Sequence, residues 1–163
     1  LAGGIGILDS EITSADPTIL TGGYVVDLEG LDLPKAPELT ASLSGEYRWP
    51  IGNNELWVRL EYIHRDGQFS DIEGLTYKQT RGPSPNQGLS PPAIDGGFPY
   101  QSPDYDLVNL RVGFDMDQFE FNLYVENLTD EEYYTGTQEN FGASGIRLKP
   151  HPLIIGASAS FVF

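Results

Sequence analysis

The feature that most limits how this chain can fold is a two-residue alternation that keeps charge on one side. In "FEFNLYVE", Phe119, Phe121, Leu123 and Val125 alternate with Glu120, Asn122, Tyr124 and Glu126. Successive side chains of an extended strand point to opposite faces, so the stretch has one apolar and one polar face. The pattern recurs. "LVNLRVGFDM" sets Val108, Leu110, Val112, Phe114 and Met116 against Asn109, Arg111, Gly113 and Asp115. "TASLSGEYRW" sets Ala41, Leu43, Gly45, Tyr47 and Trp49 against Ser42, Ser44, Glu46 and Arg48. "LWVRLEYI" sets Leu56, Val58, Leu60 and Tyr62 against Trp57, Arg59, Glu61 and Ile63. The last stretch, "IIGASASFVF", sets Ile155, Ala157, Ala159, Phe161 and Phe163 against Gly156, Ser158, Ser160 and Val162. A weaker strand precedes these in "GGIGILDSEI". Helical periodicity is almost missing, so the expected fold is all-β with six strands.

The connections between these strands alternate in length. "PIGNNE" and "DQ" are hairpin turns, whereas Thr13 to Pro37, Asp66 to Asp104 and Thr129 to Pro150 are long links expected to be loops. The stretch "GPSPNQGLSPPAIDGGFPYQSP" is dense in proline and glycine, which marks it as loop throughout. Short and long links in alternation place every tight turn at one end of an up-and-down sheet and every long loop at the other. Outer-membrane barrels have that arrangement.

Charge placement points to the same solvent arrangement. In the five clear strand cores no Asp, Glu, Lys or Arg falls on the apolar side. A Lys or Arg facing lipid at mid-bilayer costs about 2–4 kcal/mol, so a strand touching hydrocarbon must segregate in this way. Glu46, Arg59, Glu61, Asn109, Arg111, Asn122 and Glu126 are accordingly read as facing a wet lumen. Pairing Trp49 with Leu56 puts Glu46 opposite Arg59, and pairing Met116 with Phe119 puts Arg111 diagonal to Glu126 and Asp115 opposite Glu120. Tyr47, Trp49, Phe119 and Phe163 gather at the short-turn ends on the apolar side, the position of an interfacial aromatic girdle.

Bulk properties narrow the function classes. With 24 acidic and 9 basic residues the formal charge is −15, which argues against a nucleic-acid partner. The absence of cysteine excludes disulfides and thiol catalysis. Six strands fall short of the roughly eight that close a membrane barrel. With no initiator Met and no signal segment ahead of Leu1, the chain is expected to be part of a longer one.

Certain motifs carry a family resemblance. "LYVENLTDEEYY", followed by a final strand ending in "FVF", resembles the C-terminus of TonB-dependent outer-membrane receptors. "LPKAPELTASLSGEYRW" is similar to the family's Leu-Pro-x-x-Pro approach to a strand, and "YDLVNLRVGF" to its antepenultimate strand. The family motif falls on Asn127, Leu128, Thr129, Asp130, Tyr133 and Phe163. This resemblance implies a barrel of about 22 strands filled by an N-terminal plug. Residues 1–163 would form its C-terminal wall, without the plug or the earlier strands. It further implies uptake of a scarce nutrient, such as a ferric siderophore, cobalamin, haem or oligosaccharide, in the outer membrane of a Gram-negative bacterium. The implied partners are outer-membrane lipid and lipopolysaccharide, TonB–ExbB–ExbD acting through the plug, and the barrel-assembly machinery, which would read Phe163.

No enzymatic site and no cofactor are expected. His64 and His151 are far apart and lack a metal-ligand spacing, so both read as structural or loop residues. Glu61 and Glu126 resemble a glycosidase carboxylate pair only superficially, because their alternation with apolar residues fits lumen solvation better. "GGIGILDSE" lacks the third glycine and following helix of a phosphate loop. Asp71, Glu73, Asp95, Asp104, Asp130, Glu131, Glu132 and Glu139 read as solvated loop surface, with cation bridging to lipopolysaccharide phosphates as the sharper alternative. Tyr77, Phe98, Tyr100 and Phe141 are candidate ligand contacts in the loops. Two rival classes share the alternation: a passive or structural barrel such as a porin, and a secreted carbohydrate-binding β-sandwich.

Overall fold

A computed structural model of the chain describes residues 1–19, 25–70, 101–140 and 143–161. Its strands are β1 (Ala2–Ile7), β2 (Thr18–Ile19), β3 (Val25–Val26), β4 (Leu39–Ile51), β5 (Asn54–Arg65) and β6 (Gln68–Phe69). They continue with β7 (Gln101–Ser102), β8 (Tyr105–Met116), β9 (Phe119–Glu126), β10 (Gly136–Asn140), β11 (Ala143–Leu148) and β12 (Ile154–Phe161). No helix occurs among the described residues.

The six alternating segments read from the sequence form one antiparallel sheet in the order β1-β4-β5-β8-β9-β12, so each strand lies beside its predecessor in the sheet. The expected registers are present: Trp49 pairs with Leu56, Glu46 with Arg59, Met116 with Phe119, and Asp115 with Glu120. The turns are tight because Gly52 (φ 64°) and Asp117 (φ 46°) take the left-handed backbone that a two-residue hairpin demands. β4 and β5 run on to Ile51 and Asn54, leaving only Gly52 and Asn53 of "PIGNNE" as turn.

The long links depart from the expectation of loop alone. Each carries a short two-stranded ladder: β2 with β3, β6 with β7, and β10 with β11. The Pro/Gly-rich stretch therefore ends in strand at Gln101 and Ser102, which pair with Phe69 and Gln68. This ladder lies beyond the end of β5–β8, separated from it by Pro103, which has no N–H to donate.

No packed core forms among the described residues. Leu28 and Tyr133 are the large apolar side chains buried among the described residues. On the apolar face Leu60 is 50% exposed, Leu123 60% and Ile155 74%. Leu110, Val112 and Val125 are half-buried by their strand neighbours, and no second layer of described residues covers them. A water-soluble domain needs two packed layers to hide such a face, whereas a membrane wall leaves it to lipid.

The polar face is built differently. Trp57 faces Gly113, and Tyr124 faces Gly156, across neighbouring strands. A Cβ at Gly113 would fall 2.1 Å from the Trp57 indole, and one at Gly156 would fall 2.2 Å from the Tyr124 ring. Each glycine thus makes room for a ring laid across the wall. Gly113→Ala is expected to displace Trp57, costing about 1–3 kcal/mol. Urea titration followed by tryptophan emission checks this, and adding Trp57→Ala to the same chain should recover most of the loss.

Aromatic rings cluster at the turn end of the apolar face. Tyr47 and Trp49 lie 4.4 Å apart edge to face, and Phe119 lies 4.8 Å from Phe161. Of the four residues expected there, Phe163 lies outside the described residues. At the opposite end the same face turns polar. The Tyr62 hydroxyl donates to Asp106 at 2.6 Å, and His64 lies 2.8 Å from Asp106 and 3.1 Å from Asp66. These groups sit in the terminal rows of β5 and β8, beyond the uncharged band.

Candidate functional site

The polar face is a wall of rows running across the strands. One row holds Glu46, Arg59, Arg111, Tyr124 and Gly156, and the next toward the turns holds Arg48, Trp57, Gly113, Asn122 and Ser158. Toward the loops, Ser44, Glu61 and Asn109 share a row, with Glu126 beyond Asn109. All seven polar residues singled out from sequence lie on this face.

Near the turns, Arg48 is the hub. Its guanidinium donates to Glu46 at 2.7 Å and to Glu55 at 2.5 Å, stands 3.9 Å from Asp115, and lies 5.7 Å from the Trp57 ring. Glu46 is in register with Arg59 but bonds to Arg48 instead. Periodicity locates a strand neighbour; only side-chain geometry decides which of two nearby cations a carboxylate takes. Arg111 reaches Glu126 at 3.9 Å, the diagonal contact expected from the register.

Toward the loops the wall runs into a corner made by the "ENLTDEEYY" segment. Asn109 donates to Glu61 at 3.1 Å and accepts from the Asn127 backbone N–H at 3.0 Å. Asn127 is 3% exposed with φ 53°. Its side-chain amide donates to the Glu131 and His151 carbonyls at 3.0 and 3.3 Å, and its oxygen accepts from Glu131 N–H at 2.9 Å. Asp130 (φ 51°) accepts from Leu153 N–H at 3.2 Å, and Leu128 N–H donates to the Val108 carbonyl at 2.7 Å. Asn and Asp tolerate left-handed backbone better than other side-chain-bearing residues and can bond locally, which explains those residue types at both positions. Tyr133 is buried against Tyr105, with ring centroids 4.6 Å apart. Burial, with lesser contributions from Tyr105 and Glu126, raises the Tyr133 phenol above its ordinary pKa.

This corner turns a family-like motif into a physical device: it ties the end of β9 to the start of β12. Of the acidic loop residues, Asp130 is engaged as a cap, and Glu132 accepts from Lys149 at 2.6 Å. Asp71, Glu73 and Asp95 lie outside the described residues, as do the candidate ligand contacts Tyr77, Phe98, Tyr100 and Phe141. His64 is bound up with two aspartates, and His151 lends its carbonyl to Asn127. Among the described residues no group of three His, Cys, Asp or Glu side chains is arranged to hold a metal ion.

Sequence reading missed the Arg48 hub, the aromatic-over-glycine tiles and the Asn109–Asn127 link. The tiles carry a faint signal, an aromatic facing a glycine, visible only once the strands are in register.

An antiparallel up-and-down sheet with an uncharged band along one face and charges along the other is the wall architecture of a β-barrel. A solved structure shares it: the ferric yersiniabactin uptake receptor FyuA from Yersinia pestis matches 86% of this chain with a TM-score of 0.61 at 16% sequence identity. The likeness is one of fold. The chain spans 19% of that receptor's length. No family model matches the chain, nor does any curated protein.

Proposed function

We propose that the chain forms the C-terminal wall of a TonB-dependent receptor, embedded in the outer membrane of a Gram-negative bacterium and importing a scarce nutrient. The carrying observation is the open apolar face, exposed at Leu60, Leu123 and Ile155, backed by a face of Glu, Arg and Asn. The fold shared with a ferric yersiniabactin uptake receptor supports the same reading and favours a ferric compound among the candidate nutrients. In this reading the wall performs no bond chemistry. A plug domain would couple it to TonB–ExbB–ExbD, lipopolysaccharide would meet its long-loop end, and the barrel-assembly machinery would insert it.

Nitroxide labels at Leu123 and at Asn122 in chain reconstituted into bilayers test this reading. The Leu123 label is expected to be relaxed strongly by oxygen, and the Asn122 label by a water-soluble nickel chelate. Equal accessibility of both labels to the chelate would overturn the membrane assignment. Energy-dependent uptake of radiolabelled iron chelates by cells with and without the gene then tests the transport class.

A further inference from the structure

Like charges set directly opposite each other on neighbouring strands are destabilising unless an opposite charge joins them. Arg59 on β5 and Arg111 on β8 are such a pair. The carboxylates around them are engaged or distant. Glu46, across from Arg59, bonds to Arg48 at 2.7 Å, and Glu61 accepts from Asn109 at 3.1 Å. Glu126 comes no nearer to Arg111 than 3.9 Å, and Arg59 has no ion pair among the described residues. Two of only nine cationic residues in a chain of charge −15 therefore stand side by side, with the 3.9 Å contact to Glu126 as the ion pair they make among the described residues. Beside Arg111 lies a hollow of about 390 Å³ lined by Trp57, Asn122, Tyr124 and Glu126.

We propose that Arg59 and Arg111 form a carboxylate-binding site on the polar wall, each guanidinium donating to the same carboxylate group. Guanidinium forks match the spacing of carboxylate oxygens and stay charged at any physiological pH. Glu46, Glu61 and Glu126 surround the pair, so a singly charged carboxylate suits it better than a doubly charged phosphate, which those anions repel more strongly. The rings of Trp57 and Tyr124 give an apolar body attached to that carboxylate a surface to lie on. The carboxylate is carried either by a free organic acid or by an Asp or Glu of protein packed against the wall. This goes beyond the receptor reading, since the pair occupies the wall whichever solute crosses it.

The test uses the full chain in detergent, with benzoate as probe and neutral benzamide as its isosteric control. For a free acid, calorimetry at low ionic strength is expected to show saturable binding of benzoate but not benzamide. Arg59→Gln or Arg111→Gln should weaken that binding about tenfold or more, while the remote Ser160→Ala leaves it unchanged. For a protein-borne carboxylate, benzoate finds the site filled. Arg59→Lys, which keeps the charge, should then be joined by a zero-length carbodiimide to an Asp or Glu outside β4, β5, β8 and β9. Absence of benzoate binding together with carbodiimide products confined to Glu46, Glu61 or Glu126, or no product, overturns the site. The labels at Leu123 and Asn122 report separately on the membrane assignment, so failure of one is not failure of the other.

Discussion

Leu123→Arg is expected to cost about 2–4 kcal/mol of stability in a phospholipid bilayer, enough to block assembly of a marginally stable wall. Leu123 lies between Val112 and Ala157 in the uncharged part of the apolar face and is 60% exposed. That exposure makes the experiment decisive. On a soluble protein, an arginine at so open a position would change stability by no more than about 0.5 kcal/mol. In lipid the same side chain must carry its guanidinium into hydrocarbon or drag water toward it. Ser158→Arg, on the opposite face, is the control and should stay within about 1 kcal/mol of the parent. Urea titration in lipid vesicles, read by tryptophan emission, gives both values. Equal tolerance of the two substitutions would exclude a lipid-facing side.

The second large effect concerns the corner. Asn127→Ala is expected to cost about 2–3 kcal/mol, because it leaves the Glu131 N–H and the Glu131 and His151 carbonyls without the partner that holds them. Those groups are partly open to water, which keeps the loss toward the lower end. Placing alanine at φ 53° adds the strain of left-handed backbone. Asn127→Gly removes the same hydrogen bonds without that strain and should be the milder change by about 1 kcal/mol. The visible consequence is local: limited proteolysis should cut between residues 128 and 153 in the Ala variant while the β8–β9 hairpin survives. A variant as protease-resistant as the parent would show that the corner is held by something other than this side chain.

These two substitutions differ in how far the sequence alone foretells them. The lipid-facing role proposed for Leu123 follows from alternation, because a period of two assigns every residue of a strand to a side without knowledge of its neighbours. The same reasoning placed Trp49 opposite Leu56 and Arg111 diagonal to Glu126, since a short turn fixes register. The role of Asn127 was legible only as part of a family-like motif. Its partners at 109, 131 and 151 are brought together by the return of the chain, and no local rule specifies that meeting.

The short ladders inside the long links were read as loop for a related reason. Two-residue strands such as β6 and β7 are too brief to show periodicity, and they exist because the hairpin above β5 and β8 keeps its two legs in reach. The four loop aromatics proposed as ligand contacts lie outside the described residues.

By itself, then, the sequence determined an all-β meander with an uncharged band on one side, the strand order, and the registers across its tight turns. All of these follow from interactions between residues close in the chain or from the parity of their positions. The tertiary structure decided which acid takes which base, that Arg59 and Arg111 stand together with few partners, and that Asn127 locks the corner. Those outcomes depend on side chains from separate strands competing for one another in space, and sequence spacing carries no record of that competition.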